Sequence, residues 1–140
     1  MRMTEFTSDN QVDELVDAFE EATISPFEFR HSAHIAVGLA YLADAPLEAA
    51  MERMRSGLQS LSARHNATGY HETLTRFWMR LLDHLAGARY SDLPLYARVN
   101  AVIESHGSMR PVFAHYTAGR VFSPEARATW VDPDLVPLPF

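Results

Sequence analysis

Tyr70-His71-Glu72-Thr73-Leu74-Thr75-Arg76-Phe77-Trp78-Met79-Arg80-Leu81-Leu82-Asp83-His84-Leu85 is the stretch that decides the fold. Its apolar residues Leu74, Phe77, Trp78, Leu81, Leu82 and Leu85 recur three and four apart, which puts them on one face of a helix. This is the most hydrophobic face in the chain, so the segment, opened after Gly69, predicts a central core helix from about Tyr70 to Leu85. The same spacing recurs on both sides. A third helix begins at Pro46 with Leu47, Met51, Met54, Leu58 and Leu61 as its packing stripe. A fifth follows Ser91-Asp92-Leu93-Pro94, turns Leu95, Val99, Val102 and Ile103 inward, and stops at Gly107.

Further out, Ser8 and Gln11 form a capping box before a first helix carrying Val12, Leu15, Val16 and Phe19 and ending near Ala22. Ser25-Pro26-Phe27-Glu28 starts a turn, with the second helix running from about His31 to Ala43. Short helices are predicted over Pro111 to Tyr116 and from Ser123-Pro124-Glu125 through Trp130. The three prolines of Asp132–Phe140 forbid helix there and predict an extended strap, wrapping the bundle through Leu135, Leu138 and Phe140 or reaching a neighbouring subunit in a homodimer. No run alternates as a strand does. The reading is an all-α fold, a compact bundle of about five main helices plus short C-terminal helices and a Pro-rich tail, forming one domain over 1–140.

Composition narrows the function. With 47% hydrophobic residues in 140, the chain can bury a sizeable core without a metal or disulfide staple. Its longest apolar run, Ile35 to Ala43, falls short of the roughly 18–20 residues that span a bilayer. Met1-Arg2-Met3-Thr4-Glu5 leads into polar sequence rather than an apolar signal core, so a cytoplasmic location is expected. There is no cysteine and no lysine, which removes thiolate metal sites, cysteine nucleophiles and lysine Schiff bases. The net charge of −6 and scattered arginines disfavour nucleic acid. No G-x-G-x-x-G, Walker loop or G-x-S-x-G elbow is present.

Histidine is the abundant chemical group, with seven copies. His65, His84 and His106 fall near predicted helix C-termini, where an imidazolium meets the negative end of the macrodipole. His31 and His34 differ. They stand three apart at the start of a helix and share a face continued by Gly38, which permits close approach, and Tyr41. His71 belongs to the inward face of Leu74, Thr75, Trp78 and Leu82. Three neutral imidazoles are the usual protein set for an open metal site, and without cysteine they accept a divalent transition metal: zinc, iron, copper or nickel. Singly, each histidine is better explained as a hydrogen-bonded core residue. His71-Glu72 opens like H-E-x-x-H, but Thr75 stands where the second histidine belongs. Glu72 is read as an outer base or orienter, or as a first-turn carboxylate paired with Arg76.

Phe29-Arg30-His31-Ser32-Ala33-His34, Tyr70-His71-Glu72-Thr73-Leu74-Thr75 and Pro133-Asp134-Leu135-Val136-Pro137-Leu138-Pro139 resemble a family of small, uncharacterised bacterial helical proteins. That family is marked by F-x-H-x-x-H, Y-H-E-T-x-T and a terminal P-D-L-x-P-L-P. The resemblance runs from about Pro26 to the end. It implies that His31, His34, His71 and Glu72, with Tyr70, Thr73 and Thr75, belong to one site, and it implies no particular reaction.

Three expectations follow. The first is a metal site of His31, His34 and His71 between the second and fourth helices, in a metal-dependent enzyme acting on a small-molecule substrate, with Glu72, Tyr70 and Tyr41 as catalytic or substrate-contacting groups. The second is a metal-independent enzyme with His71 and Glu72 as acid and base in a pocket lined by Tyr41, Trp78 and Phe77. The third is a non-catalytic helical binding or interaction module with structural histidines.

Overall fold

The computed structural model describes residues 5–88 and 92–140. The N-terminal residues 1–4, read above for a signal segment, and Ser91, read as part of the start of the fifth helix, lie outside the described residues. Among those described there are eight helices and no strand, so the fold is all-α. The long helices are α1 (Asp9–Glu20), α2 (His31–Asp44), α3 (Leu47–Arg64), α4 (Glu72–Ala88) and α5 (Leu95–His106). Three single-turn helices follow: α6 (Arg110–Phe113), α7 (Ala118–Val121) and α8 (Pro124–Ala128). The predicted C-terminal pair corresponds to α6 and α8, both shorter than expected, and α7 was not foreseen. None of these helices is long and apolar enough to cross a membrane.

Local chemistry sets the boundaries. Ser8 Oγ accepts the Gln11 N–H at 3.3 Å, and the Gln11 side chain accepts the Thr7 N–H at 2.7 Å, closing the capping box one residue early. Ser123 caps α8 through the Ala126 N–H, and Thr117 caps α7 through the Arg120 N–H. The α3 stripe packs as read, with Met51, Met54 and Leu61 buried and Leu47 and Leu58 half-buried.

The centre of the bundle is α2, not α4. It packs against α1, α3, α4 and α5, while α4 lies between α2, α3 and α8. The cause is compositional. Ala33 and the unbroken run Ile35 to Tyr41 are all buried, so α2 is covered on every side, whereas α4 keeps a polar edge at Asp83 and His84. A helix apolar all round belongs in the middle. Gly38 permits the crossing with α4: a Cβ there would stand 2.7 Å from Leu82 Cδ1 and 3.3 Å from Met79 Sδ.

A second close approach joins α1 to α3. A Cβ on Gly57 would stand 2.3 Å from Cε2 of Phe19, whose ring is fully buried and stacked on Phe29 at 4.6 Å. Gly57→Ala is therefore expected to destabilise by about 1–3 kcal/mol through overpacking, despite a gain in helix propensity of up to about 1 kcal/mol. A denaturant midpoint equal to or above that of the wild type would show that the ring moves freely.

The tail folds back on its own bundle. His115 Nδ1 donates to Val136 O (2.8 Å), Leu135 N to His115 O (3.0 Å), and Asp134 receives both the Thr117 N–H (2.8 Å) and hydroxyl (2.6 Å). Phe140 packs against Phe77 and His84, and its carbonyl accepts from Arg80. Leu138 and Phe140 pack on the core as expected, but Leu135 is 53% exposed. His84 was assigned to a helix terminus; it lies one turn inside α4, against the Phe140 ring.

Candidate functional site

Between α2, α3 and α4 lies a cavity of about 380 Å³. Its apolar wall comes from Phe29, Ile35, Met54, Leu58, Leu74, Trp78, Met79 and Leu82, and its polar groups are His31, His34, Ser62, Tyr70, His71 and Thr75. Among the described residues, no aspartate, glutamate or arginine lines it. All three candidate histidines are among the residues that border this one space.

The three rings are in different chemical states. His71 precedes α4 and caps it: Nδ1 accepts the Leu74 N–H at 3.1 Å while Nε2 donates to Val121 O at 2.6 Å. It is therefore a neutral imidazole with both nitrogens occupied, and no lone pair is left for a metal. The expectation placed this residue inside the helix. The helix begins one residue later, and this ring closes its open N-terminus. Among the described residues, no group of three or more metal-ligating His, Asp or Glu side chains is disposed to hold an ion.

His31 and His34 open α2. Burial pushes both below the ordinary imidazole value, His34 to about 4 with the nearby His31 adding to the effect. A backbone hydrogen bond opposes the shift in each case, at His106 for His31 and at Phe29 for His34. Nε2 of His31 is buried without a hydrogen-bond partner. The Trp78 ring meets His31 edge-on at 4.3 Å and Phe29 covers His34 at 4.4 Å.

The remaining candidates divide. Tyr70 borders the cavity and donates its hydroxyl to Glu72 Oε1 at 2.5 Å. Glu72 is turned away, held by Arg55 through Nε (3.0 Å) and Nη2 (2.8 Å). Burial pushes its carboxyl up, but the bonds from Arg55 and Tyr70 and the arginine charge outweigh this, and it lies below the ordinary value. A carboxylate so held is a poor base at neutral pH. The expected partner, Arg76, contributes only its charge. Periodicity gave no hint of Arg55, because the bond joins two helices. Burial and the bond to Glu72 hold the Tyr70 phenol up, to about 12.

Tyr41 does not reach the cavity. It shares the face of His34, but seven residues along an α-helix is about 10 Å of rise. Its hydroxyl donates to Glu20 at 2.8 Å and its ring lies under the Arg53 guanidinium at 4.0 Å. Phe77, also expected in the pocket, packs instead with Tyr116 and Phe140, on the side of α4 covered by the tail. Met54 and Leu58 were legible as packing residues but not as pocket wall, and Met79 lay outside the face read for α4; the spacing that buries a side chain is the same whether it meets protein or a cavity. Thr73 is fully buried, donates to Thr129 O at 2.7 Å and accepts the Val131 N–H at 3.2 Å, so it holds the C-terminal segment rather than a ligand. Searched against family models, curated proteins and solved structures, the chain finds no match.

Proposed function

We propose that this chain binds a small, largely apolar organic molecule in the cavity between α2, α3 and α4. The observation that carries the reading is the cavity itself: about 380 Å³ between three long helices, with apolar walls and a few polar groups at fixed positions. That volume falls in the range of small-ligand pockets, and this ratio of apolar wall to polar anchor is their usual composition. Trp78 in the wall supplies a reporter. Toluene, phenol and indole titrated into a Trp130→Phe background are expected to change Trp78 fluorescence saturably, at one molecule per chain. Leu58→Trp, which fills the space, should abolish the response without lowering the melting temperature. No saturable response to any of the three, or one unchanged by the filling substitution, would remove the reading.

A divalent metal on His31, His34 and His71 forecasts otherwise. Since His71 has both nitrogens bonded, untagged protein is expected to carry well under one equivalent of zinc, iron, copper or nickel, and chelation should leave the melting temperature unchanged. One metal per chain by elemental analysis would reinstate that site. Acid–base chemistry by His71 and Glu72 has less support still, because both groups are committed to structural bonds.

A further inference from the structure

We infer that the molecule taken up between α2, α3 and α4 is an uncharged aromatic ring compound, selected over a saturated one of the same size by a wall of fixed rings. This rests on the cavity being a binding site and adds the class of its occupant.

Six of the nineteen described residues around the cavity carry a flat π ring: Phe29, His31, His34, Tyr70, His71 and Trp78. The whole chain of 140 has 8 Phe, 2 Trp, 5 Tyr and 7 His, so rings are concentrated around this space. Each of the six is also held in place. Phe29 stacks on Phe19 at 4.6 Å and lies against His34 at 4.4 Å. Trp78 meets Phe77 at 5.6 Å and His31 at 4.3 Å, both edge-on. Tyr70 is anchored through its hydroxyl to Glu72, and His71 through both nitrogens to Val121 and Leu74. A wall already fixed by its own contacts loses little freedom when a ligand settles on it. Rings gain from edge-to-face and offset contact with another ring, beyond the area they bury. A saturated ring gains the burial alone.

The polar groups leave the selection to those contacts. Tyr70 donates to Glu72 and Thr75 donates to His71 O at 2.8 Å. Both nitrogens of His71 are bonded, and Nε2 of His31 is itself buried. Among the described residues no aspartate, glutamate or arginine lines the cavity, so a charged ligand would shed its hydration with no counter-ion to meet it. An uncharged ligand is then sorted by what its ring offers.

The test compares benzyl alcohol with cyclohexylmethanol by calorimetry at pH 7.5. The two share a hydroxymethyl group and differ in the saturation of the ring. The saturated alcohol carries more apolar surface, so burial alone ranks it first. The opposite order is expected, with benzyl alcohol bound about tenfold more tightly, equivalent to about 1.4 kcal/mol. Trp78→Leu should remove the preference while cyclohexylmethanol still binds. In case that variant is unfolded, nuclear Overhauser contacts in the wild type give a second readout: the ring protons of benzyl alcohol should meet those of Trp78 and Phe29. Contacts confined to the methyls of Leu58 and Leu74 would overturn the assignment. So would a preference undiminished in folded Trp78→Leu. Cyclohexylmethanol binding as well as benzyl alcohol, or better, overturns it and leaves the cavity reading standing. Tetramethylammonium binding more tightly than either would mark the rings as a cation cage and overturn it equally. If neither alcohol binds, the aromatic assignment falls, and the cavity reading falls with it unless toluene binds.

Discussion

Thr73→Val is expected to lower the unfolding free energy by about 2–3 kcal/mol, a large effect for a change that preserves shape. The side chain is fully buried and its hydroxyl joins two backbone groups 56 and 58 residues away, the Thr129 carbonyl and the Val131 N–H. Valine fills the same volume but leaves the Val131 N–H buried without a partner, and a lost bond matters most when it orphans the other half. Thr73→Ser, which restores the hydroxyl, should recover most of the loss. The measurement is guanidinium unfolding followed by far-UV circular dichroism. A Thr73→Val midpoint within experimental error of the wild type would mean that this hydroxyl does not hold the C-terminal segment to α4.

Acid should also weaken the fold well above the carboxylate range. His34 is held near 4 in the folded protein by burial and the neighbouring His31, against about 6.5 in an unfolded chain. Between those values the unfolded state binds the proton and the folded state refuses it, so stability rises with pH through the window and falls as pH drops from 6.5 toward 4. His34 alone accounts for on the order of 3 kcal/mol by the bottom of that range, and His31 and His71 are displaced in the same direction by their own burial. Glu72 acts lower down. Its folded value is depressed, so its stabilisation is fully present above about 4.5 and lost only below. Unfolding at half-unit steps from pH 7 to 4.5 therefore isolates the histidines. His34→Gln should flatten the curve by the share of one group; equal slopes in variant and wild type would show that this ring titrates normally in the fold.

Sequence periodicity made α1, α3, α4 and α5 legible because each is amphipathic, and a stripe of Val12 and Phe19, or of Met51, Met54 and Leu61, states which side faces inward. It misjudged the centre for the same reason. The buried run from Ile35 to Tyr41 in α2 has no stripe, and a weak moment in an apolar helix signals full burial rather than a lesser role. For the site, His31, His34 and His71 all border one cavity, but spacing could not foresee what their nitrogens would do: His71 turns to the Val121 carbonyl, and every residue offers such a group. Face-sharing likewise placed Tyr41 on the right side of α2 but said nothing of height along the axis. Arg55 was invisible as the partner of Glu72, because the arginines are scattered evenly along the chain and only the meeting of α3 with α4 selects one.

The opening of α4 is completed from far downstream: His71 requires the Val121 carbonyl, and Thr73 requires the strand of backbone at Thr129 and Val131. On a ribosome or during refolding, those partners arrive late. The first turn of this helix, and with it one wall of the cavity, should remain frayed until the segment from Val121 to Val131 has docked, so that the cavity takes its shape after the long helices have formed.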